Sequence, residues 1–184
     1  MPIKKWKTLS QRYLFKRTPW LTVREDTLEM PNGKVMESYY ILEYPNWVNV
    51  IAITPDHQFV MVEQYRHGLQ EISIELSAGV CDKDDPTPEH SARRELLEET
   101  GYGGGEWQHY MVNCANPGTH TNLVHCYLAT DVTRVRDSQQ LDEHEEIQVH
   151  LMSREKVLKL LEEDAIRQSL HAAALWKYMA QHPI

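Results

Sequence analysis

The sequence predicts an α+β fold: an α/β/α sandwich around a mixed sheet, preceded by an extra antiparallel sheet. Three observations carry this. Strand-like runs are followed by one helix, then more strands, then two helices, an order unlike a regular βαβ array. Trp47–Thr54 is nearly all apolar and rich in Val and Ile, as a strand buried on both faces requires. Asn32-Gly33 separates two strand-like runs ahead of that strand, which is a hairpin signature.

Taken in order, Leu21–Leu28 and Lys34–Glu43 are the two arms of the hairpin. Trp47–Thr54 is the central strand. A turn at Pro55-Asp56-His57 leads to a strand over Gln58–Tyr65. Glu71–Leu76 alternates, with Ile72, Ile74 and Leu76 apolar. Pro88–Thr100 is a helix: Thr87 is an N-cap type, Pro88 suits the first helical position, and Gly101 stands just past the end. Strands follow over Glu106–Asn113, Thr121–Leu128 and Glu146–Leu151. Arg154–Glu163 follows the N-cap residue Ser153, and Ala165–Gln181 follows Asp164 with Ile166, Leu170 and Ala174 at helical spacing. Residues 1–45 form the N-terminal extension, and 46–184 form the core with its C-terminal helices.

The chain has 184 residues, 41% hydrophobic and 25% charged, which is one soluble domain's worth of core. No apolar run approaches the roughly 20 residues that span a bilayer, so no membrane partner is expected. No apolar segment follows the basic N-terminal residues as a secretory signal would require. Cys81, Cys114 and Cys126 lack paired metal-ligand spacing and read as reduced thiols of a cytoplasmic protein. With 19 Lys plus Arg against 27 Asp plus Glu, the net charge is −8, which argues against nucleic acid as the main partner. An anionic small substrate is compatible with an acidic site when divalent cations stand between the two.

The chemistry concentrates on the Pro88–Thr100 helix. At about 100° per residue, Glu95, Glu98 and Glu99 fall in one sector, beside an apolar stripe of Ala92 and Leu96. Like charges at these spacings destabilise a helix by roughly 0.2–0.5 kcal/mol per pair, and they raise one another's pKa. A divalent cation removes both penalties, and hard carboxylate oxygens suit Mg²⁺ or Mn²⁺. A Glu-rich helix alone is more often a solvated face. The small-residue turn Ser77-Ala78-Gly79 before it and Gly101-Tyr102 after it give the pattern its specificity.

Arg94-Glu95-Leu96-Leu97-Glu98-Glu99-Thr100-Gly101-Tyr102 resembles the second half of the Nudix box, and Glu75-Leu76-Ser77-Ala78-Gly79 resembles its opening strand and glycine. The resemblance implies a Nudix-type sandwich. It implies metal ligation by Glu95, Glu98, Glu99 and the carbonyl of Ala78, with Arg94 orienting the glutamates. One departure stands out: the interval from Gly79 to Arg94 is one residue longer than the family pattern. The family's intervening Glu falls on Pro86, or on Asp85 if the extra residue lies after it.

Other segments resemble ADP-ribose and nucleoside-diphosphate-sugar hydrolases. Glu63-Gln64-Tyr65-Arg66 matches a strand end in which Arg66 is a bidentate donor for substrate. Pro117 lies where a proline accompanies ADP-ribose hydrolysis. The acidic stretch Leu141–Glu146 matches a loop that supplies a catalytic base, with Glu143 the first candidate and Glu145 the second; Asp142 and Glu146 read as solvated. Trp47 is a candidate substrate contact, and Trp20, Tyr39 and Tyr40 are further candidates for base stacking. The implied reaction is Mg²⁺-dependent hydrolysis of a nucleoside-diphosphate-linked substrate, ADP-ribose first and GDP-mannose next, by a homodimer built through the N-terminal sheet. The competing readings are a catalytically silent nucleotide sensor of the same fold, which should have lost box glutamates, and an RNA cap or triphosphate hydrolase, which the charge disfavours.

Overall fold

The computed structural model describes residues 2–183. The chain divides into two compact units, residues 1–45 with 114–122, and residues 46–113 with 123–184.

The first unit is a three-stranded antiparallel sheet of β1 (Lys7–Arg17), β2 (Leu21–Glu29) and β3 (Val35–Glu43), in that order. The predicted hairpin joins β2 to β3. Gly33 takes a left-handed conformation at φ 82°, and its N–H reaches the Met30 carbonyl at 2.9 Å. β1 has no period in the sequence because all eleven of its residues are exposed, so no burial constraint imposes an apolar alternation. The segment 114–122 belongs here because Leu42 N–H donates to the Thr119 carbonyl at 2.8 Å and Leu42 bridges to His120.

The second unit is built on β4 (Trp47–Ile53), β5 (Phe59–Arg66), β6 (Glu71–Val80), α1 (Pro88–Thr100), β7 (Tyr102–Gly103), β8 (Glu106–Asn113), β9 (Val124–Thr130), β10 (Thr133–Arg134), β11 (Ile147–Met152), α2 (Arg154–Glu162) and α3 (Ser169–Gln181). Six strands form one sheet in the order β11-β5-β6-β4-β9-β8, and β7 pairs with β10 separately. The sheet is mixed, since β4 and β9 run parallel and the other neighbours antiparallel.

β4 is buried on both sides, as its composition predicts. Val48, Val50 and Ala52 pack with Val60, Ala92, Leu96 and Tyr127, the side covered by α1. Ile51 and Ile53 pack with Phe59, Met61 and Leu76 under Leu160, Leu161, Leu175 and Met179 of α2 and α3. The sandwich therefore has one helix on one face and two on the other.

Both ends of α1 match the sequence reading. The Thr87 side chain accepts from His90 N–H, and Gly101 at φ 75° sends its N–H to the Leu97 carbonyl. α3 begins four residues later than its periodicity predicts. Asp164 adopts φ 54° after α2 instead of capping α3, and the Gln168 side chain caps α3 by accepting from Leu170 N–H. Among the described residues no helix is long and apolar enough to cross a membrane.

Candidate active site

The site grows from the junction of β6 and α1. β6 is held by β4 through the pairs Val48–Gly79 and Asn49–Ala78, so Ser77-Ala78-Gly79 is not the turn its small residues predict: ladder pairing with β4 keeps it extended as the end of β6, at the sheet centre. α1 lies over this segment with Ala92 and Leu96 fully buried. The same packing carries Glu99 into the interior, where it is 4% exposed and accepts from Ala78 N–H at 3.2 Å. Glu95 rests directly on Gly79, and a Cβ at that position would overlap the Glu95 carboxyl. Gly79 leaves room for the Glu95 carboxyl where it stands; no left-handed backbone is involved.

Burial dominates the electrostatics of both acids. It pushes Glu95 up to about 7, against the opposing charge of Arg94. It pushes Glu99 up to about 8, with the charge of Glu95 adding and the hydrogen bond from Ala78 subtracting. Glu98 is less enclosed and accepts from Arg94 Nη1 at 3.0 Å.

Arg94 organises the group. Nη1 donates to Glu95 at 2.9 Å and to Glu98 at 3.0 Å, while Nη2 donates to the Val80 carbonyl and to Asp85, both at 3.1 Å. The lengthened loop is thereby resolved. Asp85, not Pro86, meets the arginine, so the extra residue lies after it. Asp85 also accepts from Ser91 Oγ at 2.8 Å and pairs with His90 Nδ1 at 2.7 Å. Desolvation would raise its pKa, but the hydrogen bonds from Ser91, Arg94 and His90 outweigh that and hold it at about 2.

Arg66 ends β5, and its guanidinium grips Glu75 of β6, with Nε at 3.0 Å and Nη2 at 2.6 Å. In the acidic loop, a turn closed by Glu145 N–H on the Asp142 carbonyl exposes both Glu143 and Glu145. The charge of Glu145 acts on Arg66, Glu95 and Glu99, whereas Glu143 is not among their principal electrostatic neighbours.

Trp47 opens β4, half-buried between Val80 and Val124. Pro117 sits exposed in a turn in which the Asn116 side chain accepts from Gly118 N–H at 3.2 Å, and it belongs to the N-terminal unit. Two buried residues escaped the sequence reading as site components: Glu75, taken only as part of a strand, and His171 of α3, whose Nδ1 lies 3.7 Å from Glu75. A charged residue between Ile74 and Leu76, in a strand entering the core, was the available signal for Glu75.

A sandwich that presses a carboxylate-bearing helix against the glycine-containing end of a central strand is the framework of a phosphoanhydride hydrolase. Residues 44–173 match the NUDIX domain, and the chain belongs to the Nudix family; residues 6–42 match the nucleoside diphosphate sugar hydrolase N-terminal domain. The ADP-ribose pyrophosphatase of Bacillus subtilis (strain 168) is 32% identical over 169 residues, covering 92% of this chain and 90% of that protein. The methanol dehydrogenase activator of Bacillus methanolicus is 33% identical over 144 residues, 78% of this chain and 77% of that one. The GDP-mannose pyrophosphatase of Klebsiella pneumoniae is 28% identical over 172 residues, 87% of this chain and 85% of that one. A crystal structure of an ADP compounds hydrolase superposes with a TM-score of 0.83 over 100% of both chains at 21% identity, a likeness of fold.

Nudix hydrolases generally use a divalent metal, and the residues here fit one in chemistry. The buried Glu99 and half-buried Glu95, both with raised pKa, are hard oxygen donors that a cation would stabilise in the charged form. They are not gathered into a finished cage: among the described residues no three acidic, His or Cys side chains already stand at ligating distances. Arg94 currently occupies the outer oxygens of Glu95 and Glu98.

Proposed function

We propose that this protein hydrolyses the diphosphate bond of nucleoside-diphosphate-linked substrates, releasing a nucleoside monophosphate and a phosphorylated sugar. ADP-ribose is the first candidate and GDP-mannose the next, in keeping with the activities named for its relatives. The observation that carries the reading is the Glu95–Glu99 pair, two desolvated carboxylates packed on the Ala78-Gly79 end of β6, with Arg94 donating to Glu95 and Ala78 N–H donating to Glu99.

Glu95, Glu98, Glu99 and the Ala78 carbonyl would hold the metal, with Mg²⁺ the natural ion and Mn²⁺ a substitute. When bound, it supplies charge neutralisation on the diphosphate and acidifies water. Arg94 keeps the glutamates in place through its Nη1 donors. Arg66 binds a diphosphate oxygen with the edge of its guanidinium that Glu75 leaves open. Glu145, facing Arg66, Glu95 and Glu99 electrostatically, takes the proton of the attacking water in preference to Glu143. Pro117 and Trp47 remain substrate contacts in this reading.

The working state is a homodimer formed through the N-terminal sheet. The exposure of Leu9, Tyr13, Leu14 and Phe15 along β1 supports this, because a strand with that much apolar surface calls for cover. The three cysteines are free thiols, which suits a cytoplasmic location. The silent-sensor alternative requires lost box acids, and all three are present.

The test is incubation of the pure protein with Mg²⁺ and ADP-ribose, GDP-mannose, dinucleotides, nucleoside triphosphates and capped RNA. Release of nucleoside monophosphate from the sugar-linked diphosphates is expected. Binding without turnover of any of them would establish the sensor instead.

A further inference from the structure

Arg66 is paired in an unexpected direction. Across the strands it stands opposite Glu71, yet its guanidinium does not bind that residue. Glu71 instead pairs with Arg167 at 3.8 Å. The Arg66 side chain runs along the sheet to Glu75, which opposes Val62 in the ladder. The two partners differ sharply in environment: the Glu75 side chain is 3% exposed and that of Arg66 is 43% exposed. A carboxylate at that depth requires a fixed counter-charge. Burial would raise its pKa, but the hydrogen bond and the charge of Arg66 hold it below the ordinary carboxylate value.

Both oxygens of Glu75 are engaged by the Nε and Nη2 edge of Arg66. Among the described residues nothing else accepts from this guanidinium, so the two Nη1 donors stay available. A cavity of about 390 Å³ lined by Arg66, Glu75 and Ser73 adjoins the pair. Behind Glu75 stands His171, 4% exposed, with Nδ1 3.7 Å from Glu75 Oε2 and without a hydrogen bond of its own. Burial lowers its pKa to about 4, so it is a neutral wall at physiological pH.

We propose that Glu75 is the positioning residue for Arg66: buried against His171, it holds one edge of the guanidinium so that the other edge is presented to the substrate's diphosphate. This rests on the reading above that Arg66 binds the diphosphate. It explains why a buried acid contributing no metal ligand sits three residues before Ala78 in the same strand. An arginine without that anchor must surrender the rotamer freedom of a long side chain each time it binds.

The experiment is steady-state kinetics with ADP-ribose and Mg²⁺ on wild type, Arg66→Ala, Glu75→Gln and the double variant. Glu75→Gln should raise KM about tenfold, the scale of one charge-assisted contact, and leave kcat within about threefold. In the Arg66→Ala background the same change should have no further effect on KM. If Glu75→Gln raises KM equally in both backgrounds, or not at all while Arg66→Ala does, the positioning role is wrong. If wild type turns over ADP-ribose but Arg66→Ala leaves KM unchanged, the Arg66 assignment falls instead. If wild type turns over nothing, the proposed function falls. Should Glu75→Gln not fold by circular dichroism, Arg66→Lys decides: a lysine cannot present two edges, so its KM should rise at least fivefold, and a wild-type KM would overturn the proposal.

Discussion

The carboxyl of Glu95 occupies the space in which Gly79 would carry a Cβ. A side chain at this position would have to push the Glu95 carboxyl aside, so the glycine sets where Glu95 can stand. Gly79→Ala should displace Glu95 and lower kcat on the order of 100-fold, the usual effect of a reacting group misplaced by about an ångström. The fold should persist, because Gly79 does not need a left-handed backbone. Turnover within threefold of wild type would show that the contact does not position Glu95.

Glu99 presents an opposition between stability and function. Its carboxylate is buried, and burial already pushes its pKa up to about 8. Glu99→Gln should abolish metal-dependent turnover by on the order of 10²–10³-fold. In metal-free protein the same change should raise the melting temperature by roughly 2–4 °C for each kcal/mol of desolvation relieved. Calorimetry in EDTA checks the second half. A variant less stable than wild type without metal would contradict the burial argument.

The acidic loop offers a discriminating pair. Glu145→Gln should lower kcat by about 10²–10⁴-fold, the range for loss of a general base, with KM little changed. Glu143→Gln should stay near wild type. Single-turnover rates on the two variants decide, and the reverse ranking would return the base to Glu143.

His171 predicts a pH dependence of stability. Its pKa is 6.5 in the unfolded reference and about 4 in the folded protein. Between those values the unfolded chain binds a proton that the folded protein refuses. Stability is therefore complete above about 6.5 and declines as pH falls toward 4. Relative to His171→Asn, wild type should lose on the order of 3 kcal/mol over that window. Urea unfolding at pH 7 and pH 4 measures it, and parallel losses in the two proteins would exclude the imidazole as the cause.

The legible parts of the fold were those in which burial writes a pattern. β4 announced itself through an unbroken apolar run, and α1 through its caps and the carboxylates beside Ala92 and Leu96. β1 could not be read because nothing in it is buried within the chain. α3 was started too early because Ile166 keeps the apolar period while lying outside the helix, and only the Gln168 cap marks the true start. At the site, local spacing placed Glu95, Glu98 and Glu99 in one sector of α1 beside Ala92 and Leu96. It could not choose between Asp85 and Pro86, since that depends on which one reaches Arg94 across the loop. Nor could it find the contact of Glu75 with Arg66 and His171, which joins three elements distant in sequence.

The eleven exposed residues of β1 carry a thermodynamic consequence. Ordering a residue's backbone costs roughly 1–2 kcal/mol, and among the described residues this strand offsets that through its ladder with β2 and exposed side-chain pairs such as Arg12–Glu25, without burying any residue. In the proposed homodimer a second chain supplies further compensation, and the order of this sheet is then subject to mass action. In dilute solution it should melt before the sandwich does, at a temperature that climbs with protein concentration. The sandwich, whose core closes on itself, should melt at one temperature whatever the dilution.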